Sequence, residues 1–284
     1  MKIGFIGQGW IGKNYADDFE KRGFEVIRYA QEAPHTDNKD KIKECDIVFI
    51  AVPTPTTEDG FDDSILREVV KLVGKGNIAV IKSTILPGTT ESIQKDNPDI
   101  FTMHSPEFLR EVNATYDSAN PERNIVGYTE KSKDRAQEVL DVLPTAKYSV
   151  LVPVKEAELI KYAGNVFLYL KVLYANLLYD LSQSLDVDYQ RIKEAVAADS
   201  RIGGSHLDPI HVSGHIDDSG EHLKTRGAGG HCFIKDFAAF REMYEKNVGD
   251  VKGLNLLKSL EEKNIELLKN SDKDLDLLKS VYGK

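Results

Sequence analysis

The opening stretch constrains this chain more than any other. Lys2 to Ile6 is a short apolar strand candidate. Gly7-Gln8-Gly9-Trp10-Ile11-Gly12 follows it directly, then a helix-like segment from Lys13 to Arg22 and a second strand pattern from Phe24 to Tyr29. Strand, G-x-G-x-x-G, helix and strand within about thirty residues is the context in which this motif binds a dinucleotide. The glycines allow a tight turn and close approach of a pyrophosphate, which then sits at the helix N-terminus. A glycine turn of purely structural purpose would need none of that context.

The acidic residue that grips the ribose hydroxyls belongs at the end of the second strand, where this chain has Ala30. Glu32 lies two residues on and about twenty past Gly12, a spacing that lets it substitute. No Arg or Lys follows this strand until Lys39, so a 2′-phosphate has no receiver there. NAD is therefore expected over NADP.

Further apolar runs continue the α/β pattern. Asp46 to Val52 is nearly continuous, as in a strand buried on both faces of a parallel sheet. It ends in Pro53-Thr54-Pro55-Thr56, a rigid turn. Ile78 to Ile81 is another strand, with Ser83 and Thr84 just past its end, where hydroxyls either meet a ligand or cap the next helix. Ile100 to His104, Asn124 to Gly127 and Lys147 to Val152 complete the strands. Glu107 and Glu111 lie between the first two. Four apart, they share a helix face or flank a ligand, and such pairs are most often solvated.

From Lys155 one long helix runs to about Leu185, on the order of 45 Å. Apolar residues lie nearly all round it, which predicts burial. Glu158, Lys161 and Asn165 fall on one face, and Asn176 continues the line. A lysine on a buried helix is costly unless paired or working. The competing reading is an exposed Glu158–Lys161 pair at the helix start. A further helix, Asp188 to Ala198, leads to a polar, glycine-bearing loop that holds His206, His211, His215 and His222. Their spacings match no standard zinc pattern, and no metal is expected. The loop ends at Gly229-Gly230-His231-Cys232-Phe233-Ile234-Lys235-Asp236. A thiol just before a helical run, with Lys235 nearby, has reasons to lose its proton, and the thiolate is the nucleophile. Alone, that octet reads more readily as a buried cysteine in a glycine turn, and the other segments tip the balance. Amphipathic helices and a charged tail follow.

The predicted architecture is α/β: a Rossmann-like doubly wound sheet over 1–152, then an all-helical domain over 153–284 with one long central helix. A formal net charge of -9 argues against nucleic acid or an anionic membrane as partner. No apolar run approaches a membrane span. Two distant cysteines make no disulfide framework, which fits a reducing cytoplasm.

Taken in order, these motifs resemble the UDP-glucose/GDP-mannose dehydrogenase family, nearest its UDP-glucose 6-dehydrogenases. The resemblance rests on the glycine fingerprint, Val52-Pro53-Thr54-Pro55, Ser83-Thr84, Pro106-Glu107-Phe108-Leu109-Arg110-Glu111, the Glu158/Lys161/Asn165 helix, Arg201-Ile202-Gly203 and Gly229-Gly230-His231-Cys232 with Lys235-Asp236. It implies oxidation of the primary alcohol of a nucleotide sugar to a carboxylate, with two transfers to NAD. Cys232 would carry a thiohemiacetal and then a thioester, and Lys161 with Asn165 would hold the oxyanion. Asp236, Thr84 and Glu107 would handle water and protons. Gly7, Gly9, Trp10, Ile11, Gly12, Glu32, Val52, Pro53, Thr54, Ser83, Thr84 and Glu111 would surround the cofactor. Glu107 to Glu111, Lys161, Asn165, Arg201 and Gly229 would meet the substrate. Arg201 would reach a neighbouring subunit through a homodimer built on the long helix.

Ala30, Val112 and Ala228 depart from the family pattern, and the resemblance implies a third domain after the central helices that this sequence is expected to lack. Two other readings remain open at this point: a two-electron hydroxyacid dehydrogenase, which needs no thiol, and a non-catalytic or partner-dependent cofactor-binding protein.

Overall fold

A computed structural model describes residues 1–57, 60–110, 113–216 and 222–283. The chain divides into two compact units, Met1–Pro55 with Phe61–Lys161, and Thr56–Gly60 with Tyr162–Lys284.

The first unit is built on a seven-stranded sheet. Its strands are β1 (Lys2–Ile6), β2 (Glu25–Tyr29), β3 (Ile47–Ile50), β4 (Ile78–Ile81), β5 (Phe101–His104), β6 (Arg123–Tyr128) and β7 (Tyr148–Pro153), in the order β2-β1-β3-β4-β5-β6-β7. All neighbours run parallel except β5 and β6, which are antiparallel. Side-chain alternation sends Ile3, Phe5, Ile47, Phe49, Ile78 and Val80 to one face, where they meet Tyr15 and Phe19 of α1 (Trp10–Lys21) and Val139 of α5 (Ala136–Val142). Ile6, Val48, Ile50, Ala79 and Ile81 go to the other, against Leu66 and Val69 of α2 (Ser64–Val69). Covering both faces explains why β3 and β4 are uninterrupted apolar runs.

The chain leaves β1 toward β2 on one side and returns to β3 on the other. The order therefore switches direction between β1 and β3, and ligands of open α/β sheets bind at such a point, beyond the strands' C-terminal ends. Helix α1 starts at Trp10, three residues earlier than the pattern beginning at Lys13 suggests, so Gly12 lies in its first turn. A Cβ on Gly12 would overlap the Gly7 carbonyl oxygen, which is why the third glycine is needed.

The second unit is mainly helical. It holds most of α6 (Val154–Ser184), then α7 (Tyr189–Ala197), α8 (His231–Asn247), α9 (Val251–Asn270) and α10 (Leu275–Tyr282). Its core joins Val166, Tyr169, Val172 and Leu173 of α6 to Phe233 and Phe237 of α8 and Leu257 and Leu267 of α9. The Tyr169 and Phe237 rings stack 4.1 Å apart.

Three expectations need correction here. The unit is not all helical: Ile210–Ile216 (β8) and His222–Arg226 (β9) form an antiparallel ribbon within the predicted loop. Period-two apolar residues Ile210 and Val212 were the available signal, obscured by interleaved histidine and glycine. The charged tail folds as α10, with Leu278 packed on Ile234, Ile265 and Leu268. Finally, α6 is not buried all round. Phe167, Tyr174, Leu177 and Leu181 are exposed, Phe167 by 63%, and recur at intervals of seven and three or four residues.

Candidate active site

A cavity of about 750 Å³ opens at the switch point. It is lined by Gly7 to Ile11, by Ala30 to His35 after β2, and by Ala51 to Pro53 after β3. Gly7 has φ +89° and a Cβ there would overlap the Ala51 carbonyl oxygen. Gly9 faces open space, so its backbone is bared to whatever occupies the cavity. Gly9 is also the N-cap of α1 and supplies no side-chain acceptor, which leaves first-turn N–H groups for an anion. This cradle fits a dinucleotide such as NAD. Of the expected contacts, Gly7, Gly9, Trp10, Ile11, Glu32, Val52 and Pro53 line the cavity, and Gly12 supports it from below.

The hydroxyls beyond β4 brace that wall. Ser83 Oγ donates to the Val52 carbonyl at 2.7 Å and accepts from the Val52 N–H at 3.0 Å. Thr54 Oγ1 donates to the Thr84 carbonyl at 2.7 Å. Ser83 and Thr54 thus fix the loop after β3, and Thr84 is half-buried beside them.

A buried ion pair lies past β5. Lys161 Nζ donates to Glu107 Oε1 at 3.0 Å and to the Glu107 carbonyl at 2.8 Å. Both residues are 5% exposed. Glu107 Oε2 accepts from the Leu109 N–H at 2.8 Å, so the carboxylate is held at both oxygens. The competing Glu158–Lys161 surface pair is overturned. Glu158 is buried and accepts from the Gly88 N–H, the Thr90 N–H and Thr90 Oγ1, which caps α3 (Thr89–Asp96). Burial raises its carboxyl above the usual range, against those three hydrogen bonds. Glu107 is likewise no solvated carboxylate on a helix face, because residues 105–110 are not helical.

The Phe108 ring stacks under the Arg123 guanidinium at 3.8 Å. Arg110 is exposed and grips Asp117 of α4 (Ala114–Ala119) through Nη2 at 2.7 Å and Nε at 3.0 Å, which holds that carboxyl below its ordinary value. Glu111 lies outside the described residues.

Sequence reasoning missed Lys82. It follows β4, is 3% exposed, and donates to the Ser105 carbonyl at 3.0 Å and Ser105 Oγ at 3.2 Å. Its ammonium lies 4.4 Å from the Tyr15 ring centre. Burial pulls it down to about 7, the Glu107 carboxylate opposes this and Lys161 adds to it. A lysine directly continuing an apolar strand was the available signal.

The second unit carries the thiol. Helix α8 begins at His231, behind Gly230 with φ +86°, so Cys232 sits inside its first turn rather than ahead of it. Cys232 is exposed and Cys45 buried. The first turn is the end of a helix that stabilises negative charge. One turn on, Asp236 is 1% exposed and accepts from Asn165 Nδ2 at 2.6 Å and Lys235 Nζ at 2.9 Å. Arg201 is exposed and forks onto Asp199, with Nη2 to Oδ2 at 2.6 Å. Gly229 is packed by Asp274 and Lys273, where a Cβ would overlap both side chains. His206 and His211 pack with Phe233 as an aromatic cluster, and burial pushes His211 down to about 4. Among the described residues no group of three or more His, Cys, Asp and Glu could hold a metal.

Lys82 gives a stability signature. Its folded value lies below the unfolded value of roughly 10.4, so between about pH 7 and 10 the unfolded chain binds a proton that the folded chain lacks. The penalty is full below pH 7 and fades as pH rises, so stability climbs with pH by up to about 1.4 kcal/mol per unit. Lys82→Met should flatten that rise in urea melts run from pH 7 to 9. Parallel slopes in the two proteins would count against it.

Comparison with known proteins follows the same division. Residues 29–143 match the NAD binding domain of the UDP-glucose/GDP-mannose dehydrogenase family, and residues 155–266 match its central domain. The chain is 31% identical over 236 residues to the putative UDP-glucose 6-dehydrogenase YtcA of Bacillus subtilis, covering 78% of this chain and 52% of that protein. It is 32% identical over 220 residues to the UDP-glucose 6-dehydrogenase of Rhizobium meliloti, covering 72% and 47%. The chain thus spans about half the length of these two curated relatives. A UDP-glucose dehydrogenase from the archaeon Pyrobaculum islandicum superposes with a TM-score of 0.77 at 26% identity, over 98% of this chain and 70% of that one. Among the described residues no helix is long and apolar enough to cross a membrane. With the two domain models matched in order, the first over the sheet from the end of β2 onward and the second over the helices that follow it, the chain belongs to the UDP-glucose/GDP-mannose dehydrogenase family, and its first unit carries that family's NAD-binding domain.

Proposed function

We propose that this chain oxidises the C6 primary alcohol of a nucleotide sugar, of the UDP-glucose kind, to the carboxylate by way of a thioester on Cys232. The observation that carries this reading is an exposed thiol in the first turn of α8, one turn before an Asp236 carboxylate bonded to Asn165. A single two-electron oxidation of a hydroxyacid needs no such thiol, which sets that alternative aside.

NAD, when bound, accepts the electron pair of each of the two oxidations. The chain's own residues do the rest. Cys232 Sγ adds to the aldehyde carbon, which becomes a thiohemiacetal and, after the second oxidation, a thioester. Water then displaces the sulfur and releases the acid. Lys161, with its position fixed by Glu107, stabilises the negative oxygen at each stage together with Asn165. Asp236, Glu107 and Thr84 position water and relay protons. Gly9 and the first turn of α1 take the pyrophosphate, Glu32 takes the ribose hydroxyls, and Ser83 stands by the cofactor. Phe108, Leu109, Arg110 and Gly229 border the substrate.

The exposed stripe on α6 supports a homodimer. Four large apolar side chains spaced at seven and three or four residues form the seam of a helix-on-helix interface. Among the described residues Arg201 is exposed and tied to its neighbour Asp199, so it can be redirected toward a second subunit's substrate at small cost.

Three outcomes are expected. Incubation with NAD and UDP-glucose should give two NADH per sugar acid, and Cys232→Ser should abolish acid formation. Cys45→Ala should keep it, since burial raises that thiol to about 12. Undiminished acid from Cys232→Ser would sink the thioester route, and no NADH from any nucleotide sugar would leave a cofactor-binding protein. Glu32→Ala should weaken NAD on the order of tenfold in a binding titration. Wild-type protein that prefers NADP would refute that contact. Sedimentation at micromolar concentration should show the dimer mass, and a monomer there would overturn the α6 interface.

A further inference from the structure

The turn that delivers Cys232 is Gly227 to Gly230, between β9 and α8. Backbone polar groups of Gly227, Ala228 and Gly230 are satisfied from a distance, by side chains of α9 and of the segment joining α9 to α10. Asn264 of α9 makes both hydrogen bonds of Ala228, accepting from its N–H at 2.8 Å and donating to its carbonyl at 3.0 Å. Lys273 Nζ donates to the carbonyls of Thr225 and Gly227, each at 3.0 Å, and also to that of His211. Asp274 Oδ2 accepts from the Gly230 N–H at 2.7 Å.

Burial makes these contacts consequential. Lys273 is 0% and Asp274 2% exposed, in a segment whose composition reads as solvent-facing. A buried ammonium is tolerated only with its donors satisfied, and here three carbonyls satisfy them. Burial draws Lys273 down to about 8, while the adjacent Asp274 carboxylate pulls the other way. Asp274 holds φ +52°, a left-handed conformation that costs a non-glycine residue energy unless its surroundings fix it. Gly229 completes the fit. A Cβ at this position would overlap Asp274 Oδ2 and Lys273 Cε, so the glycine's empty side admits the pair. Leu278, packed on Ile234 of α8, anchors α10 and so holds the pair in place.

We infer that Lys273 and Asp274 are positioning residues for Cys232, clamping the Gly227–Gly230 turn so that the thiol enters the first turn of α8 at a fixed height. This rests on the reading of Cys232 as the nucleophile. Both residues lie beyond the central-domain match, which ends at residue 266. Gly230 is the N-cap of α8 and brings no side-chain acceptor of its own. Asp274 supplies the acceptor for its N–H. Without that bond the Gly230 peptide can rotate, and Cys232, two residues on, moves with it. A displacement of the order of 1 Å at a reacting group costs about a hundredfold in rate.

The test compares Asp274→Ala with Asp274→Asn in the full chain. Asparagine keeps an acceptor oxygen for Gly230, whereas alanine does not. Three quantities are read: alkylation of Cys232 by iodoacetamide against pH, resolved from Cys45 by peptide mass; NADH formation from UDP-glucose; and NAD binding. Asp274→Ala should change the alkylation profile and lower kcat on the order of tenfold to a hundredfold, with NAD binding unchanged. Asp274→Asn should retain most of both the profile and the turnover. Equal loss in the two variants, or wild-type alkylation in a folded Asp274→Ala, overturns the proposal. Amide exchange in the wild-type protein decides independently of how the variants fold. A protected Gly230 N–H supports the clamp, and exchange at the rate of an open loop overturns it. If no nucleotide sugar yields NADH while alkylation still responds to Asp274→Ala, the functional reading has failed and the clamp has not.

Discussion

A sheet covered on both faces leaves little room for polar side chains along its central strands, and that constraint organises the first unit. β3 and β4 are apolar from end to end because each face meets helices. Polar groups are therefore displaced to the C-terminal ends. Gly7 follows β1, Val52 to Thr54 follow β3, Lys82 to Thr84 follow β4 and Ser105 to Glu107 follow β5. The cavity and the Lys161–Glu107 pair lie just beyond strand ends for this reason. Chemistry gathers where the backbone stops being satisfied by its neighbours.

The second theme is how many ionic groups this chain buries, and how differently it satisfies them. Lys161 and Glu107 meet directly, and both Glu107 oxygens accept hydrogen bonds. Such a pair is a weak source of net stability, because desolvating two charges offsets most of their attraction, but removing one partner costs about 3–5 kcal/mol. Glu158 instead caps a helix through three donors. Lys82 is held by Ser105 and an aromatic face, and burial draws its ammonium down to about 7. Lys273 is wrapped in carbonyls. Groups held so tightly are preorganised, and preorganised charge is what stabilises an oxyanion without rearrangement during reaction.

Much of this was legible in the residues. The glycine fingerprint, the aliphatic strands, the long helix and the Gly-Gly-His-Cys turn are local patterns, and local periodicity reports local structure well. The same periodicity failed where an element draws its meaning from elsewhere. The β8–β9 ribbon was hidden because its pairing, not its composition, makes it a ribbon. The tail was misjudged because Lys273 and Asp274 are charged, and charge alone suggests solvent. The apolar circumference of α6 suggested complete burial, yet one stripe is left uncovered by this chain.

The sequence by itself determined the α/β class, the dinucleotide cradle, the family, and which residue types are available for chemistry. Each is written in spacing over a few residues: a turn that only glycine can make, a strand that only aliphatics can fill. The tertiary structure decided which charge meets which. Lys161 takes Glu107, 54 residues away, rather than Glu158 one turn before it. Asn165 takes Asp236 across 71 residues, and Gly230 takes Asp274 across 44. Those choices follow from packing. Burial removes water as an alternative partner, so each polar group must accept whichever complement the folded core brings within hydrogen-bond reach, and no local spacing encodes which one that will be.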